Sequence, residues 1–398
     1  MIYCIYFFEV FILKKYFALL LIFAFGFSFL PIWRENCADG SLVFDYISLE
    51  SKDFLLEMPQ NGAKCAVVAD MESGKLLFAK NPDERRGMAS TTKIMTALVA
   101  IENCNLAKEF TVCKEAVGIE GSSVYLQEGE KLTLEELLYC LLLESGNDAA
   151  VAVAICVGGT EENFVKLMNE RARELGLKNT RFANPHGLSD ENHYTTAREL
   201  AIITVEAMKY PASAKIVAEK YRKVRYNNTE NGRLLCNHNK LLSGYKNCIG
   251  VKTGYTQKDG KCLVSAAEKD GLGVVAVTLG DPSPTYTHIG LLDGAFNKFC
   301  MVTVAEKGDI NLQIPIENGE RDFVTAVNFK EIKLCLPKGT KYTVDTVMPK
   351  AVAAPVKRGD IVCRLRVTAE GGQVYIINLE AAEDIKVKRK NLWEKIFG

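Results

Sequence analysis

The sequence predicts an α/β domain, in which helices pack on a sheet, followed by a small all-β domain. Between Ala63 and Phe299, strands are mixed with strongly apolar helices, which is typical of the first class. After Phe299, short runs alternate apolar and polar residues and are separated by Gly and Pro, which is typical of a small β-sandwich. A chain of 398 residues with 48% hydrophobic content is long enough for two such domains.

The charge balance and the histidines limit the classes of partner. Basic residues and acidic residues number 49 each, so the sequence shows no basic excess that would predict nucleic-acid binding. The four histidines are scattered without the spacing of metal ligands: His186, His193, His238 and His288. We therefore predict no metal site and no cofactor.

The N-terminal segment, residues 1–38, is typical of a secretory signal. Lys14 and Lys15 precede the uncharged, apolar run from Tyr16 to Trp33, and small residues near Cys37-Ala38 provide a cleavage site. The apolar run is also just long enough to span a bilayer as an uncleaved anchor. We predict an exported protein, with removal of the signal favoured over an anchor.

The cysteines do not form a pattern that export would normally favour. Of 13 cysteines, an odd number remains when Cys4 and Cys37 are removed with the signal, and none forms a Cys-x-x-Cys pair. We predict free thiols rather than a disulfide framework. Cys140 and Cys156 lie among apolar neighbours and are predicted core positions.

A hairpin and a helix open the α/β domain. Residues 65–70 and 75–79 are predicted to be strands, and Glu72-Ser73-Gly74 is predicted to be the turn between them. A helix with its first turn at Ser90 follows and runs to about Asn105. Ser90 and Lys93 are three residues apart, so the hydroxyl and the amine would share one helix face. A buried lysine of lowered pKa can activate a serine, but for so short a motif taken alone a Ser N-cap beside a solvated lysine is the favoured interpretation.

A second stretch carries a polar tripeptide between two apolar helices. Thr133 and Glu136 predict a capping box at the start of the first helix. This helix ends at Ser145-Gly146-Asn147, and a second apolar helix runs from Asp148 to Val157. The tripeptide is placed either to line a cleft or to serve as an ordinary helix-to-helix turn.

A third stretch, Lys252-Thr253-Gly254-Tyr255, precedes a second hairpin formed by residues 262–267 and 273–279. The order predicts that Lys252, Thr253 and Gly254 lie on or beside an edge strand. Gly254 would let a ligand backbone approach closely. The alternative is a plain strand end with a solvated lysine.

Together, Ser90-x-x-Lys93, Ser145-x-Asn147 and Lys252-Thr253-Gly254 resemble the motif set of penicillin-binding proteins and serine β-lactamases. Two further stretches, residues 182–201 and 237–242, resemble the low-molecular-mass D-alanyl-D-alanine carboxypeptidases. The resemblance covers about Ala63 to Phe299 and, more loosely, the C-terminal part. It implies a penicillin-binding-protein-like α/β catalytic domain and serine-type carboxypeptidase activity on peptidoglycan stem peptides that end in D-Ala-D-Ala, with β-lactams as covalent inhibitors.

The resemblance also implies a role for each motif residue. Ser90 would form the acyl-enzyme, Lys93 would take its proton, and Ser145 would relay a proton to the leaving D-alanine. The remaining residues would bind substrate, with the backbone N–H groups of Ser90 and Tyr255 as the oxyanion hole. These expected binding residues are Asn147, Lys252, Thr253, Gly254 and Tyr255.

The chain departs from many relatives after the second hairpin. They carry an arginine near the substrate carboxylate, whereas residues 280–288 contain none and include Tyr286 and His288 instead. Recognition of the carboxylate is therefore assigned to Lys252 and Thr253 alone. His186 stands in a turn-type Pro-His-Gly sequence and is expected to be structural.

The tail, residues 383–398, combines apolar residues with cations. Its apolar members include Ile385, Leu392 and Trp393, interspersed with lysines, and such a segment either lies in a membrane interface or is a frayed surface helix. We expect it to associate weakly with a membrane surface. The predicted division of the chain is signal 1–38, catalytic domain 39–299, β-sandwich 300–382 and tail 383–398.

Two other functions share part of this pattern. A class A β-lactamase needs a glutamate that activates the deacylation water, and no Glu-x-x-Leu-Asn element lies between Asn147 and Lys252. A cell-wall-binding scaffold with a silent site would not need every motif residue intact. We therefore expect a carboxypeptidase that acts at the outer face of the cytoplasmic membrane or in the cell wall.

Overall fold

The computed structural model of the chain describes residues 62–226 and 229–388. The predicted signal lies outside these ranges, as do residues 389–398 of the predicted tail. Within the described ranges, none of the helices has the length and apolar character needed to span a bilayer.

The first domain is a mixed α/β structure, as predicted. Its strands in chain order are β1 (Cys65–Asp70), β2 (Leu76–Lys80), β3 (Glu109–Thr111), β4 (Lys131–Thr133), β5 (Tyr221–Tyr226), β6 (Thr229–Cys236), β7 (Cys248–Thr256), β8 (Gly260–Lys269) and β9 (Leu272–Leu279). Its helices are α1 (Lys93–Asn103), α2 (Leu134–Leu142), α3 (Asn147–Gly158), α4 (Glu161–Glu174), α5 (Ala197–Met208), α6 (Pro211–Ala218), α7 (Leu241–Gly244) and α8 (Pro284–Lys298).

The central sheet has five antiparallel strands in the order β2-β1-β9-β8-β7. Both predicted hairpins are present, and the first one turns at Asp70, whose carboxylate accepts the Ser73 N–H. Strand β7, which carries the Lys-Thr-Gly motif, lies at the sheet edge, as predicted. Among the described residues, one side of β7 therefore has no neighbouring strand.

The two faces of the sheet are covered by different helices. Alternate side chains of β1, such as Cys65 and Val67, join a large apolar core with α1, α2 and α3. The opposite face, including Ala66 and Val68, packs against α8 through Leu291 and its neighbours. The motif-bearing helices thus lie on the face opposite to α8.

Local sequence signals explain the start of α2 and the junction that follows it. Thr133 Oγ1 accepts the Glu136 N–H and the Glu136 side chain accepts the Thr133 N–H, which is the predicted capping box. The helix is almost entirely buried beyond its first turn. It therefore forms a rigid support for the tripeptide at residues 145–147.

The second domain is all β, as predicted. Its strands are β10 (Phe299–Ala305), β11 (Asn311–Glu317), β12 (Phe323–Val327), β13 (Ile332–Pro337), β14 (Tyr342–Val347), β15 (Val352–Ala353), β16 (Ile361–Ala369) and β17 (Val374–Ala381). They form a six-stranded sheet in the order β14-β16-β17-β12-β11-β15 and a β10–β13 pair around a separate apolar core. Ile385 belongs to this core, with 1% of its surface exposed. It is therefore not part of a free apolar tail, contrary to our expectation.

The cysteines of the described ranges are all free thiols. Cys140 is fully buried, as predicted, and burial raises the pKa of its thiol to about 12. Cys156, near the end of α3, is half-buried, so the prediction of a core position was wrong there. Its apolar neighbours pack on the rim of the core rather than inside it.

Candidate active site

Ser90 lies in a 3₁₀ turn, Ala89–Thr92, that leads directly into α1. Ala89 adopts a left-handed backbone, with φ 47°. The turn is held from within because Thr92 Oγ1 donates to the Ala89 carbonyl at 2.8 Å. Gly187 packs against the outside of the turn. It approaches so closely that a side chain would not fit, because a Cβ on Gly187 would lie 2.0 Å from the same carbonyl oxygen. The Ser90 turn therefore packs closely against the loop that contains Gly187.

Lys93 is fully buried and its amine has three oxygen neighbours. Nζ lies 3.0 Å from Ser90 Oγ, 2.7 Å from Asn147 Oδ1 and 2.6 Å from the His186 carbonyl oxygen. The carbonyl and the amide oxygen can only accept hydrogen bonds. The arrangement brings two of the three sequence motifs together at one nitrogen.

The electrostatic environment favours the neutral form of this amine. Burial holds the pKa of Lys93 well below its ordinary value, and the nearby charge of Lys252 lowers it further. The carboxylate of Asp148 acts in the opposite direction and raises the pKa. Burial is the largest of the three effects, so Lys93 is a deprotonated base at a far lower pH than a surface lysine.

Asn147 is fixed at the start of α3 by more than Lys93. Its N–H donates to the Ser122 carbonyl at 2.7 Å, and its Nδ2 donates to the Glu120 carbonyl at 2.6 Å. Because Nδ2 donates there, Oδ1 is the atom that faces Lys93. Asn147 thus connects the base to the loop of residues 120–126, which we call the 120–126 loop.

Asp148 was missed by the sequence analysis and holds the same loop. Its buried carboxylate accepts the Ser123 hydroxyl at 2.6 Å and the Leu126 N–H at 3.0 Å, in addition to the Val124 N–H. The residue stands directly after the Ser-x-Asn motif and has no sequence signature of its own. Its proximity to the motif was the one available hint.

Ser145 lies between α2 and α3 with a left-handed backbone, φ 63°. Its exposed fraction is 4%, and among the described residues no atom forms a hydrogen bond with its hydroxyl. The adjacent Gly146 N–H donates to the Cys140 carbonyl and closes the turn. The Ser145 hydroxyl is consequently available to a group outside the chain.

The Lys-Thr-Gly motif on β7 contributes the second buried lysine. Lys252 is 1% exposed, and its Nζ donates to the Thr253 carbonyl at 3.1 Å. Burial lowers the pKa of Lys252 to about 7, while the charge of Glu144 acts to raise it. Thr253 is half-buried and Tyr255 is 64% exposed, so the motif runs from the interior to the surface.

Gly254 is in contact with the turn that carries Ser90. A Cβ at this position would lie 3.0 Å from the Ser90 nitrogen and 3.1 Å from the Thr91 nitrogen. The sequence predicted close approach of a ligand backbone; the backbone that approaches in the structure is that of the Ser90 turn. The missing side chain allows β7 to run beside the Ser90 N–H.

Two histidines, His193 and His186, support this region, and burial disfavours the charged form of each. His193 Nδ1 accepts the Ala183 N–H, so Nε2 carries the proton and donates to Thr92 Oγ1 at 2.7 Å. Burial lowers the pKa of His193 to about 4 and that of His186 to about 3. The His186 ring accepts the Leu188 N–H, whereas its carbonyl faces Lys93, which agrees with a structural role.

His288, in the segment without the arginine, does not face the motif residues. It is fully buried on α8, with Ser265 Oγ 2.5 Å from Nδ1 and Thr278 Oγ1 3.0 Å from Nε2. These two partners lie on β8 and β9, so His288 joins α8 to the sheet. Burial lowers its pKa to about 3, so it supplies no cation for a carboxylate. Tyr286 is 83% exposed on the surface.

Known proteins match the chain over both domains. The D-alanyl-D-alanine carboxypeptidase family matches residues 52–283, and the C-terminal domain of penicillin-binding protein 5 matches residues 299–387. The chain is 33% identical to D-alanyl-D-alanine carboxypeptidase DacF of Bacillus subtilis over 335 residues, which cover 81% of this chain and 86% of the relative. It is 31% identical to D-alanyl-D-alanine carboxypeptidase DacA of Escherichia coli K12 over 307 residues, which cover 73% of this chain and 75% of the relative.

Among solved structures, penicillin-binding protein 5 from Haemophilus influenzae superposes with a TM-score of 0.72 at 29% sequence identity. That match covers 83% of this chain and 99% of the other. It extends over the α/β domain and the all-β domain in the same order. The chain therefore belongs to the D-alanyl-D-alanine carboxypeptidase family, within the low-molecular-mass penicillin-binding proteins.

Proposed function

We propose that the protein is a serine-type D-alanyl-D-alanine carboxypeptidase that removes the terminal D-alanine from peptidoglycan stem pentapeptides. Ser90 is the nucleophile and forms the acyl-enzyme. The observation that carries this proposal is the position of Lys93 Nζ, 3.0 Å from Ser90 Oγ and buried between two acceptor oxygens. The same acyl-enzyme chemistry accounts for covalent inhibition by β-lactams.

The geometry around Lys93 explains how Ser90 is activated. A neutral amine has two N–H donors and one lone pair. Asn147 Oδ1 and the His186 carbonyl accept the two donors, which leaves the lone pair for the Ser90 O–H. Ser90 therefore loses its proton to Lys93 as its oxygen attacks the carbonyl carbon between the two D-alanines.

The contact between β7 and the Ser90 turn supports an oxyanion hole. The carbonyl oxygen of the substrate gains negative charge and accepts hydrogen bonds from the Ser90 N–H and the Tyr255 N–H. Gly254 brings the two elements together because it has no Cβ to displace the Ser90 nitrogen. Loss of one such donor typically raises the barrier by about 3–4 kcal/mol.

The other motif residues complete the reaction. Ser145 relays a proton to the departing D-alanine amine, and a hydroxyl without a hydrogen-bond partner among the described residues is consistent with that role. Asn147 Nδ2 has a second N–H beyond the one given to Glu120 and holds the substrate amide. Lys252 and Thr253 hold the terminal carboxylate. Water then cleaves the Ser90 ester and releases the shortened peptide.

Release of D-alanine from diacetyl-Lys-D-Ala-D-Ala tests this function. We expect the full chain without its signal to release one D-alanine per peptide, because the peptide presents the scissile bond and the free carboxylate together. Coupled detection of D-alanine measures the rate, and the same peptide ending in L-Ala serves as the control. A protein that is acylated by penicillin but releases no D-alanine would contradict the carboxypeptidase assignment.

The relatives are penicillin-binding proteins whose substrate lies outside the cytoplasm, and we propose export of this chain by residues 1–38. We further propose that the tail associates with the membrane surface. Because Ile385 is buried in the second domain, the apolar anchors are those that follow it: Leu392, Trp393, Ile396 and Phe397. Four such residues among lysines would bind weakly and in a salt-sensitive manner.

Deletion of residues 391–398 is expected to leave D-alanine release in solution unchanged while it releases the signal-cleaved protein from anionic vesicles. The reason is that the deletion removes all four anchors but no residue of the first domain. Sedimentation with anionic and with zwitterionic vesicles measures the binding, and high salt should reproduce part of the loss. Equal sedimentation with and without these residues would exclude the tail as the anchor.

A further inference from the structure

Four main-chain groups of the 120–126 loop are bound by the first two residues of α3, Asn147 and Asp148. Asn147 binds the first half of the loop: its Nδ2 donates to the Glu120 carbonyl at 2.6 Å and its N–H donates to the Ser122 carbonyl at 2.7 Å. Asp148 binds the second half. The loop is therefore attached to the helix end that carries the Ser-x-Asn motif.

Asp148 is 1% exposed, and both of its carboxylate oxygens accept hydrogen bonds. Oδ2 accepts the Ser123 hydroxyl at 2.6 Å and the Leu126 N–H at 3.0 Å. Oδ1 accepts the Ala149 N–H at 2.9 Å, and the Val124 nitrogen lies 3.2 Å from Oδ1 and 3.1 Å from Oδ2. Three of these donors belong to the 120–126 loop, so the carboxylate ties the loop to the start of α3.

The Asn147 side-chain amide can point in two directions, and one of them suits the base. As observed, Oδ1 accepts from Lys93 Nζ at 2.7 Å while Nδ2 donates to the Glu120 carbonyl. In the reversed orientation, Nδ2 would donate to the lone pair of neutral Lys93, and Oδ1 would face the Glu120 carbonyl oxygen, which is also an acceptor. Lys93 would then have no lone pair for the Ser90 proton. The position of the Glu120 carbonyl therefore selects the orientation that leaves the base free.

We propose that Asp148 is a positioning residue of the reaction: it holds the 120–126 loop against α3, so that the Glu120 carbonyl keeps the Asn147 amide with Oδ1 toward Lys93. The proposal rests on the role of Lys93 as the base in the proposed function. It gives a purpose to a buried carboxylate that stands directly after the Ser-x-Asn motif and touches neither Ser90 nor Lys93 through a hydrogen bond.

The charge of Asp148 does not account for such a role, because it acts on the base in the opposite sense. A nearby negative charge favours the ammonium form and raises the pKa of Lys93. Removal of the charge alone would therefore favour the neutral amine and leave the acylation rate unchanged or higher. A loss of rate would come from the position of the loop.

Asp148→Asn is the first test, with the second-order rate constant for acylation by a fluorescent penicillin as the measurement. The substituted side chain has one acceptor oxygen. If this oxygen takes the place of Oδ2, the NH₂ group faces the Ala149 N–H; if it takes the place of Oδ1, the NH₂ group faces the Leu126 N–H. Two donors oppose each other in either case, so we expect the loop to shift and the rate to fall by about 10–100-fold.

A double-mutant cycle with Asn147→Ala separates positioning from a general disturbance. If Asp148 acts through the orientation of the Asn147 amide, Asp148→Asn should change the rate by less than about twofold once that amide is absent. A merely structural role predicts that the full loss recurs in the Asn147→Ala background. Such a recurrence would overturn the proposal.

Amide hydrogen exchange of the peptides that cover residues 120–126 gives a readout that does not depend on acylation. Ser123→Ala removes the hydroxyl that donates to Asp148 at 2.6 Å but keeps the carboxylate. We expect faster exchange of the loop in both variants and a loss of acylation rate of about three- to tenfold in Ser123→Ala. If Asp148→Asn does not fold, Ser123→Ala decides: a change in both exchange and rate supports the proposal, and a change in one or neither overturns it.

Asp83→Asn is the matched control, because it removes an exposed carboxylate of the first domain that accepts from Arg198 Nε at 2.7 Å. It should keep the wild-type acylation rate and the wild-type exchange of the loop. An unchanged acylation rate in folded Asp148→Asn would overturn the positioning role, even if the loop exchanges faster. Acylation that survives Lys93→Arg would contradict the base of the proposed function, whereas the cycle decides separately whether Asp148 acts through Asn147.

Discussion

Ser90→Ala is expected to abolish covalent labelling by penicillin and to preserve the fold. The Ser90 side chain is half-buried and its hydrogen-bond contact is with Lys93 Nζ, so alanine removes the nucleophile without emptying the core. The 3₁₀ turn is held by the hydrogen bond from Thr92 Oγ1 to the Ala89 carbonyl and by the close packing of Gly187 on that carbonyl. The Ser90→Ala substitution alters neither contact. Intact-mass analysis after incubation with penicillin measures the added mass of the drug.

A matched control for this experiment is Ser189→Ala. Ser189 is an exposed serine that donates to Thr256 Oγ1 at the end of β7, and it lies outside the proposed machinery. This variant should be labelled as the wild type is. Labelling that survives Ser90→Ala, at the same rate and stoichiometry, would assign the acylated residue elsewhere.

The parts of the fold that follow from local chemistry could be predicted from the sequence. The capping box at Thr133, the two hairpins and the period-two strands after Phe299 each depend on residues a few positions apart. The edge position of β7 followed from the hairpin that comes after it. Such signals survive in one sequence because turn and capping preferences act over short distances.

The inner details of the site could not be predicted in the same way. Two of the groups that fix Lys93 and Asn147 are the main-chain carbonyls of His186 and Glu120, and a main-chain atom carries no residue signature. Asp148 acts through a loop more than twenty residues earlier in the chain. Contacts of this kind depend on which loops the tertiary structure brings together.

Two residues show where the local sequence alone gave a wrong prediction. Cys156 has apolar neighbours but lies at the rim of the core, and Ile385 was assigned to the tail but packs in the second domain. In each case the local pattern was compatible with two environments. Packing between elements, which the sequence does not display, decided between them.

Lys93→Arg is expected to fold and to lower the rate of penicillin acylation by about 10²–10⁴-fold, the usual contribution of a general base. Arginine donates hydrogen bonds to Asn147 Oδ1 and the His186 carbonyl but stays protonated, so it has no lone pair for the Ser90 proton. A neutral replacement such as Lys93→Met is a poorer choice. It would leave both buried oxygens unpaired, at about 1–3 kcal/mol each.

The pH profile distinguishes loss of the base from a general disturbance. Because burial depresses the pKa of Lys93, the wild type keeps its base to a much lower pH than a surface lysine would, and loses it as the pH falls through the folded-state pKa. The wild-type rate should therefore have an acid limb, and the residual rate of Lys93→Arg should lack it. The variant also places a permanent cation beside Lys252, so its melting temperature should be lower than that of the wild type.

Lys166→Arg, at an exposed position of α4 where Nζ contacts Asn163, is the matched control and should keep the wild-type rate and its acid limb. Circular dichroism confirms that each variant is folded before acylation is measured. Near-normal labelling by a folded Lys93→Arg protein would remove the lysine from the proton transfer. The base would then have to be sought at Lys252, the other buried amine of the motif set, whose pKa burial lowers to about 7.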